Sequence, residues 1–175
     1  AAKVTVLFAF SCSLALAQNL LPTAAILLRT SWWAALVHMG MVVLAVVTEV
    51  ASPYRNREYA MAINAWIRDA LGVLGVSGVE DRGISDLALG DVKIVGTSIF
   101  RRRLILFYQA SLLVANDIAL FERYLTYPSA VPDYRASRGH AAFCTTLRRA
   151  GFALEVPDVI AALEREVARR LPALR

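Results

Sequence analysis

Apolar runs separated by short polar stretches dominate the chain, and five of them have the length and composition of buried strands. These runs are rich in Val, Leu, Ile and Ala and cover residues 4–10, 24–28, 35–48, 91–97 and 103–114. Each is shorter than the roughly 20 residues that a membrane-spanning helix needs, so we expect no membrane span. Because the last two runs are close in sequence, we predict a hairpin that turns at residues 100–103.

Four other segments place apolar residues at the spacing of one helix face, between residue types that mark helix ends. The predicted helices run from Ser52-Pro53, or from near Asn56, to Gly72 or Gly75; onward from Asn116-Asp117; through Phe143 and Leu147 to Gly151; and onward from Pro157. No repeat or linker interrupts this order. We therefore expect one α/β domain over residues 1–175, with a central mixed β-sheet flanked by helices.

The N-terminal segment is also similar to a signal peptide. Lys3 precedes a 14-residue apolar core at 4–17, which ends in the small-x-small triplet at 15–17. We favour a buried strand here. Since the chain has no initiator Met, we expect that residues before Ala1 are missing through processing or truncation.

The formal net charge is +5, and arginine carries nearly all of the positive charge, because Lys3 and Lys93 are the only lysines. The cluster of Arg101, Arg102 and Arg103 is interpreted as a solvated hairpin tip. Its functional alternative is a contact with an acidic partner or with RNA.

The two cysteines, Cys12 and Cys144, show neither metal-ligand spacing nor a disulfide framework. We expect each to be a small buried side chain, we expect no metal site, and a reducing compartment fits this usage.

Lys93 lies in the middle of the predicted strand 91–97, between Val92 and Ile94. A lysine there needs either water or an anionic partner, because burying an unpaired charge is costly. The pattern alone leaves two interpretations open, an exposed lysine on an edge strand and a functional lysine. Asp86 likewise reads as a turn residue or as a site residue.

Read as a whole, residues 82–147 resemble the biotin/lipoate–protein ligase family, in its lipoate ligase and octanoyltransferase branch. The resemblance rests on Ser-Asp-Leu at 85–87, Gly-Asp-x-Lys-Ile-x-Gly at 90–96, a strand ending in Ser-Leu-Leu at 111–113, and the run from Pro-Asp-Tyr-Arg at 132–135 to Leu147. It extends upstream to residues 29–40, where the family has an Arg, a triple-glycine loop and a His.

This resemblance implies an enzyme that activates lipoate or octanoate with ATP and Mg²⁺ as an acyl-adenylate and transfers the acyl group to a lysine of an acceptor domain. It places Lys93 at the acyl carbonyl and phosphate, where its charge would stabilise a developing negative charge. It places Asp86 near the adenine, Gly96 in the same ligand-binding segment, and Arg29 and His38 at the two ends of the glycine loop.

The chain departs from the family where the ligand would bind. Trp32 and Trp33, followed by Ala34, replace the three glycines, which let the backbone approach a ligand closely. Each indole buries about 150–250 Å², so we expect one of them to fill the pocket. The family's usual N-terminal helix and strand are missing, so we expect a truncated pocket wall. Other family polar residues are replaced at Val43, Ala45, Tyr108 and Gln109.

These departures favour a catalytically degenerate ligase-like protein without cofactors, acting as a structural or binding subunit of a larger assembly, mitochondrial rather than cytoplasmic. A second hypothesis is an active lipoyl or octanoyl ligase or transferase, because Lys93, Asp86 and His38 are retained. A third is an RNA- or phosphate-binding subunit that uses the arginines at 101–103.

Overall fold

The structure is a computed structural model that describes residues 8–9, 40–51, 55–126 and 131–174. Its strands form one six-stranded sheet in the order β1-β2-β6-β5-β4-β3. The strands are β1 (Phe8–Ala9), β2 (Met41–Glu49), β3 (Val79–Arg82), β4 (Asp86–Leu89), β5 (Val92–Arg102) and β6 (Ile105–Leu113). Neighbouring strands all pair antiparallel. Among the described residues, the parallel part of the predicted mixed sheet is a single bridge between Lys93 and Cys144.

The predicted hairpin is confirmed, but the predicted position of its turn was wrong. β5 continues to Arg102, because Phe100 pairs with Phe107 and Arg102 with Ile105 across the ladder. The turn is therefore the two-residue connection Arg103-Leu104. Arg103 has a φ of 55°, which is the left-handed region that such tight hairpin turns require.

Within the described ranges, four helices accompany the sheet: α1 (Asn56–Val73), α2 (Ile118–Tyr124), α3 (His140–Phe143) and α4 (Val156–Arg170). α1 and α4 bury their apolar faces in the main core, where Ile63 and Leu71 of α1 join Val159 and Leu163 of α4. This core lies against the sheet face that carries Leu44. Short 3₁₀ turns follow at Asp133–Arg135 and Leu171–Leu174.

The opposite face of the sheet is covered by α2, as predicted for the helix led by Asn116-Asp117. Ile118 and Phe121 pack there with Met41 and Val43 of β2. The Asp117 side chain accepts a hydrogen bond of 3.0 Å from the Ala119 backbone N–H, so it caps the helix. The sheet is thus enclosed between two unequal layers of helix.

The third predicted helix was wrong beyond Phe143. After α3, the chain runs beside the sheet: the Thr145 N–H donates to the Lys93 carbonyl, and the Leu147 N–H donates to the Leu113 carbonyl, both at 2.9 Å. These backbone donors are used by the strands and cannot close helical turns. Leu147 is fully buried through this extended segment rather than through a helix.

In the part of the chain that the structure describes, no helix has the length and hydropathy required to cross a membrane.

Candidate functional site

A cleft of about 580 Å³ opens beside β5, within the range of ordinary small-molecule sites. The start of α1, the β3–β4 turn and the middle of β5 form its walls. Lining residues on these elements are Asn56, Arg57, Ala60, Ile84, Ser85, Asp86, Lys93, Thr97, Ser98 and Ile99, together with Val131 and Pro132. The cleft therefore combines apolar side chains with a small polar group at Ser85, Asp86, Lys93 and Thr97.

A β-bulge sets the direction of Lys93. Leu87 of β4 pairs with Val95, whereas Ala88 pairs with Lys93, so β5 has one extra residue between these two pairs. Such bulges break the alternation of side chains and re-aim them, and they are frequent beside active sites. Lys93 lines the cleft as a result, while Ile94 and Val95 are both fully buried.

The Lys93 ammonium forms an ion pair with Asp86, with 2.8 Å between Nζ and Oδ1. The side chains of Lys93 and Asp86 are 24% and 14% exposed, so both are largely withdrawn from water but still reach the cleft. The second carboxylate oxygen of Asp86 accepts a hydrogen bond of 2.9 Å from the Tyr134 hydroxyl. Asp86 is therefore held from both sides, by a cation and by a neutral donor.

Tyr134 is fixed by its surroundings as well as by Asp86. Its ring centroid lies 5.0 Å from that of Phe143. Burial raises the pKa of the Tyr134 hydroxyl, and the nearby Asp86 carboxylate raises this pKa further. The hydroxyl therefore stays protonated at neutral pH and remains a donor to Asp86.

Cationic groups gather around the Phe143 ring. Lys93 Nζ lies 5.9 Å from the ring centroid, and the guanidinium carbons of Arg135 and Arg138 lie at 4.9 and 5.4 Å. Arg138 also donates to the backbone carbonyls of Asp91, Tyr134 and Arg135, which ties the 133–138 turn to the segment before β5. Arg135 and Arg138 therefore add positive charge near Lys93, although neither of them lines the cleft itself.

Ser85, the last residue of the β3–β4 turn before Asp86, is held from two elements. Asn64, which is fully buried on α1, donates at 3.0 Å to the Ser85 carbonyl, and the Thr97 hydroxyl of β5 donates to the same carbonyl at 2.8 Å. Asn64 in turn accepts a 2.6 Å hydrogen bond from the hydroxyl of the fully buried Tyr108. The core thus positions the acidic end of the site.

Gly96 lies directly under the Lys93 side chain. A Cβ at Gly96 would lie 3.0 Å from Lys93 Cε and 3.1 Å from Nζ. The glycine leaves the space that the lysine occupies on its way to Asp86.

The structure brings Lys93, Asp86 and Gly96 together, while the ligand-binding roles that the resemblance implies for them stay predictions. Arg29, His38, Trp32 and Trp33 lie outside the described residues. Sequence reasoning about single residues missed Tyr134, Arg138 and Asn64. Tyr134 and Arg138 lie in the run from Pro-Asp-Tyr-Arg at 132–135 to Leu147 that carried the resemblance, so that run was the available signal; Asn64 had none.

At the hairpin tip, the Arg101 guanidinium donates to the Asn56 side chain at 2.6 Å, while Arg102 and Arg103 are exposed. Phe100 beside them is 66% exposed. The tip is thus partly apolar and strongly basic.

Cys144 is poorly suited to act as a nucleophile. Burial raises the pKa of its thiol, and this effect exceeds the opposing effect of the nearby Lys93 and Arg135. Little thiolate is present at neutral pH as a consequence. Within the described ranges, no group of three His, Cys, Asp or Glu side chains is arranged to hold a metal ion.

Comparison with known proteins places the chain in a family. The model of the lipoyl protein ligase A/B catalytic domain matches residues 34–168, and the chain therefore belongs to that family. No curated protein sequence gives a significant match.

Solved structures share the fold at low sequence identity. A lipoate-protein ligase A bound with ATP has a TM-score of 0.64 at 17% identity, covering 77% of this chain and 53% of that chain. A bipartite lipoate-protein ligase from Thermoplasma acidophilum gives 0.63 at 18%, with the same coverage. A biotin protein ligase from Aquifex aeolicus gives 0.54 at 12%, over 77% and 54%. The chain thus spans about half the length of these proteins.

Proposed function

We propose that the cleft binds an acyl-adenylate and that the domain acts as an ATP-dependent lipoyl or octanoyl ligase. The observation that carries this proposal is the open cleft with the Lys93 ammonium held at its polar end by Asp86. Similarity to a lipoate-protein ligase A that was solved with ATP supports a nucleotide as one of the ligands.

In this reaction, a carboxylate oxygen of lipoate or octanoate attacks the α-phosphorus of Mg²⁺-bound ATP, and pyrophosphate leaves. The amine of an acceptor lysine then attacks the acyl carbonyl, and AMP leaves. Both steps build negative charge on oxygens at the acyl-phosphate junction. A preorganised cation such as Lys93 stabilises that charge without reorganisation, in a site largely shielded from water.

A degenerate protein is the second candidate, favoured by the side chains that replace family polar residues. Tyr108 is fully buried and bonded within the core, and Val43 packs in the smaller hydrophobic cluster under α2. With Trp32 and Trp33 in place of the glycine loop, such a domain would serve as a structural subunit of a mitochondrial assembly.

An ATP–pyrophosphate exchange assay with lipoate and octanoate separates the two candidates. In the unmodified chain we expect pyrophosphate exchange that depends on added lipoate or octanoate. In Lys93→Ala we expect the exchange rate to fall about 100-fold or more, the scale of removing one group that stabilises a developing charge. The other lysine provides the matched control, because Lys3→Ala removes the same group elsewhere in the sequence. Absence of exchange together with absence of ATP and lipoate binding in calorimetry would favour the degenerate protein.

The acceptor is proposed to be an acidic protein domain that contacts the hairpin tip. Phe100, Arg102 and Arg103 are all exposed at the tip, and a surface that combines arginines with an aromatic residue is typical of protein contacts. β5 leads directly from this tip to the cleft, since Ser98 and Ile99 line it. RNA is the alternative partner for the same surface.

A further inference from the structure

Tyr134 is the one neutral donor to the Asp86 carboxylate among the described residues. Its hydroxyl donates at 2.9 Å to Oδ2, while Lys93 occupies Oδ1 at 2.8 Å. Without the tyrosine, one carboxylate oxygen would lose its donor and the carboxylate could rotate about its own bond. Two points of attachment fix the plane of the carboxylate, and one does not.

The position of Tyr134 is itself fixed by elements remote from Asp86. It lies in the 3₁₀ turn Asp133–Arg135, and the Arg138 guanidinium donates to the Tyr134 carbonyl at 2.7 Å. The Phe143 ring packs against it. The turn that carries Tyr134 is thus anchored on the other side of the site, and it positions the hydroxyl to donate to Asp86.

We propose that Tyr134 is a positioning residue: it locks the Asp86 carboxylate, and through that carboxylate it holds the Lys93 ammonium at the cleft. The proposal concerns the same site as the proposed ligase activity and rests on it for its catalytic meaning. The chain of contacts from Tyr134 to Lys93 stands on the described geometry.

A merely structural tyrosine would contribute stability and leave Lys93 unchanged. A positioning tyrosine changes how long Lys93 stays with its carboxylate. The chain offers a direct measurement of this quantity, because its only lysines are Lys3 and Lys93. Reductive methylation begins with attack of an unprotonated amine on formaldehyde, so an ammonium must leave its carboxylate partner and lose a proton before it reacts. The labelling rate of Lys93 therefore reports on the ion pair, and Lys3 is the internal reference.

The experiment compares the unmodified chain with Tyr134→Phe by timed reductive methylation and peptide mass spectrometry, without any substrate. We expect Lys93 labelling relative to Lys3 to rise about three- to tenfold, the scale of losing one hydrogen bond of typical net strength. Tyr124→Phe is the matched control, because it removes a tyrosine hydroxyl on α2 and keeps the ring under the Arg123 guanidinium. Its Lys93 labelling should stay within about twofold of the unmodified chain.

A double-mutant cycle tests whether Tyr134 acts through Asp86. Asp86→Asn should raise Lys93 labelling at least as much as Tyr134→Phe does. Adding Tyr134→Phe to Asp86→Asn should not raise Lys93 labelling further, since the Asp86 carboxylate that links Tyr134 to Lys93 is already absent. If Tyr134→Phe raises labelling equally with and without Asp86, or leaves it unchanged, the proposal is overturned. Should circular dichroism find Tyr134→Phe unfolded, Tyr134→Met keeps an apolar side chain against Phe143 and takes its place.

Enzyme kinetics test the catalytic consequence of the same substitution. In pyrophosphate release that depends on lipoate or octanoate, we expect Tyr134→Phe to lower kcat about tenfold. The KM for ATP should stay within about twofold, because Lys93 acts on the transition state. If the unmodified chain releases no pyrophosphate, the proposed ligase activity fails, and the labelling result still decides the role of Tyr134.

Discussion

At the scale of single residues, Lys93 depends on the absence of a side chain at Gly96. A methyl group at Gly96 would lie 3.0 Å from Lys93 Cε, a contact that the flexible lysine relieves by moving away. We therefore expect Gly96→Ala to reduce the lipoate- or octanoate-dependent pyrophosphate exchange about tenfold or more, while the unfolding free energy changes by no more than about 1 kcal/mol. Exchange kinetics and urea unfolding measure the two effects.

Gly72 provides the matched control for this substitution. It lies in the last turn of α1, no atom lies within 4 Å of an added Cβ, and its φ is not positive. Gly72→Ala should raise the unfolding free energy by about 0.5–1 kcal/mol, because alanine costs less backbone entropy in a helix, and should leave exchange unchanged. Equal exchange rates in Gly96→Ala and Gly72→Ala would contradict the steric role of Gly96.

The residue pattern singled out Lys93 and Asp86 but left an ordinary role open for each, and only the resemblance grouped them with Gly96. Alternation along strand 91–97 could not orient Lys93, because the bulge that aims it depends on the pairing of β4 with β5. Tyr134 bonds to Asp86 across 48 residues, and no local pattern reports so distant a hydrogen bond.

At the scale of elements, the β5–β6 turn carries an arginine where glycine is the usual residue. Arg103 has a φ of 55°, which costs a residue with a Cβ about 1 kcal/mol relative to glycine. We expect Arg103→Gly to raise the unfolding free energy by about 0.5–1 kcal/mol, as measured by urea unfolding. Arg102→Gly is the control within the strand and should lower it instead. A loss of stability in Arg103→Gly would mean that the arginine side chain makes a stabilising contact.

The same arginines are expected to bind the partner. Replacing Arg102 and Arg103 with Glu should weaken binding of an acidic lipoyl acceptor domain about tenfold or more at low ionic strength, and the difference should shrink with added salt. Exchange of pyrophosphate should stay unchanged, because both side chains lie beyond the cleft lining. Tight, salt-dependent binding of RNA with no binding of the acceptor domain would assign the tip to RNA instead.

The starts of two helices agree with local signals in the sequence. α1 begins at Asn56, the second of the two starts that the sequence offered, and α2 follows its predicted Asp117 cap. β3 and β4 were missed because they are four-residue strands whose stability comes from pairing rather than from an apolar run. The helix predicted through Leu147 was wrong because its backbone donors are taken by β5 and β6.

At the scale of the whole molecule, the fold is that of a ligase catalytic domain. Hydrophobic pattern predicted an α/β domain, but the antiparallel order of the sheet and the enclosure of the cleft between α1 and β5 arise from long-range packing. Trp32 and Trp33, which the sequence predicts to fill the pocket, lie outside the described residues, whereas the described residues supply the cation, its carboxylate and the open volume.

The stability of the whole molecule is expected to fall in mild acid through His140. Burial lowers the pKa of His140, and the nearby Arg135 lowers it further, while Glu122 of α2, 3.9 Å away, opposes both. The imidazole is therefore neutral at pH 7, and its contact with Glu122 is not an ion pair there. In the unfolded chain, histidine titrates near its usual pKa of about 6.5.

Below about pH 6.5 the unfolded state consequently binds a proton that the folded state resists, so unfolding becomes easier as pH falls through this window. The contribution is fully present above pH 6.5 and is lost progressively below it. We expect urea unfolding at pH 7.5 and pH 5.5 to give a larger loss of stability in the unmodified chain than in His140→Gln, which keeps polarity without a titrating group. The carboxylates titrate in both proteins and cancel in this comparison. An equal or greater loss in His140→Gln would show that His140 does not carry the acid sensitivity.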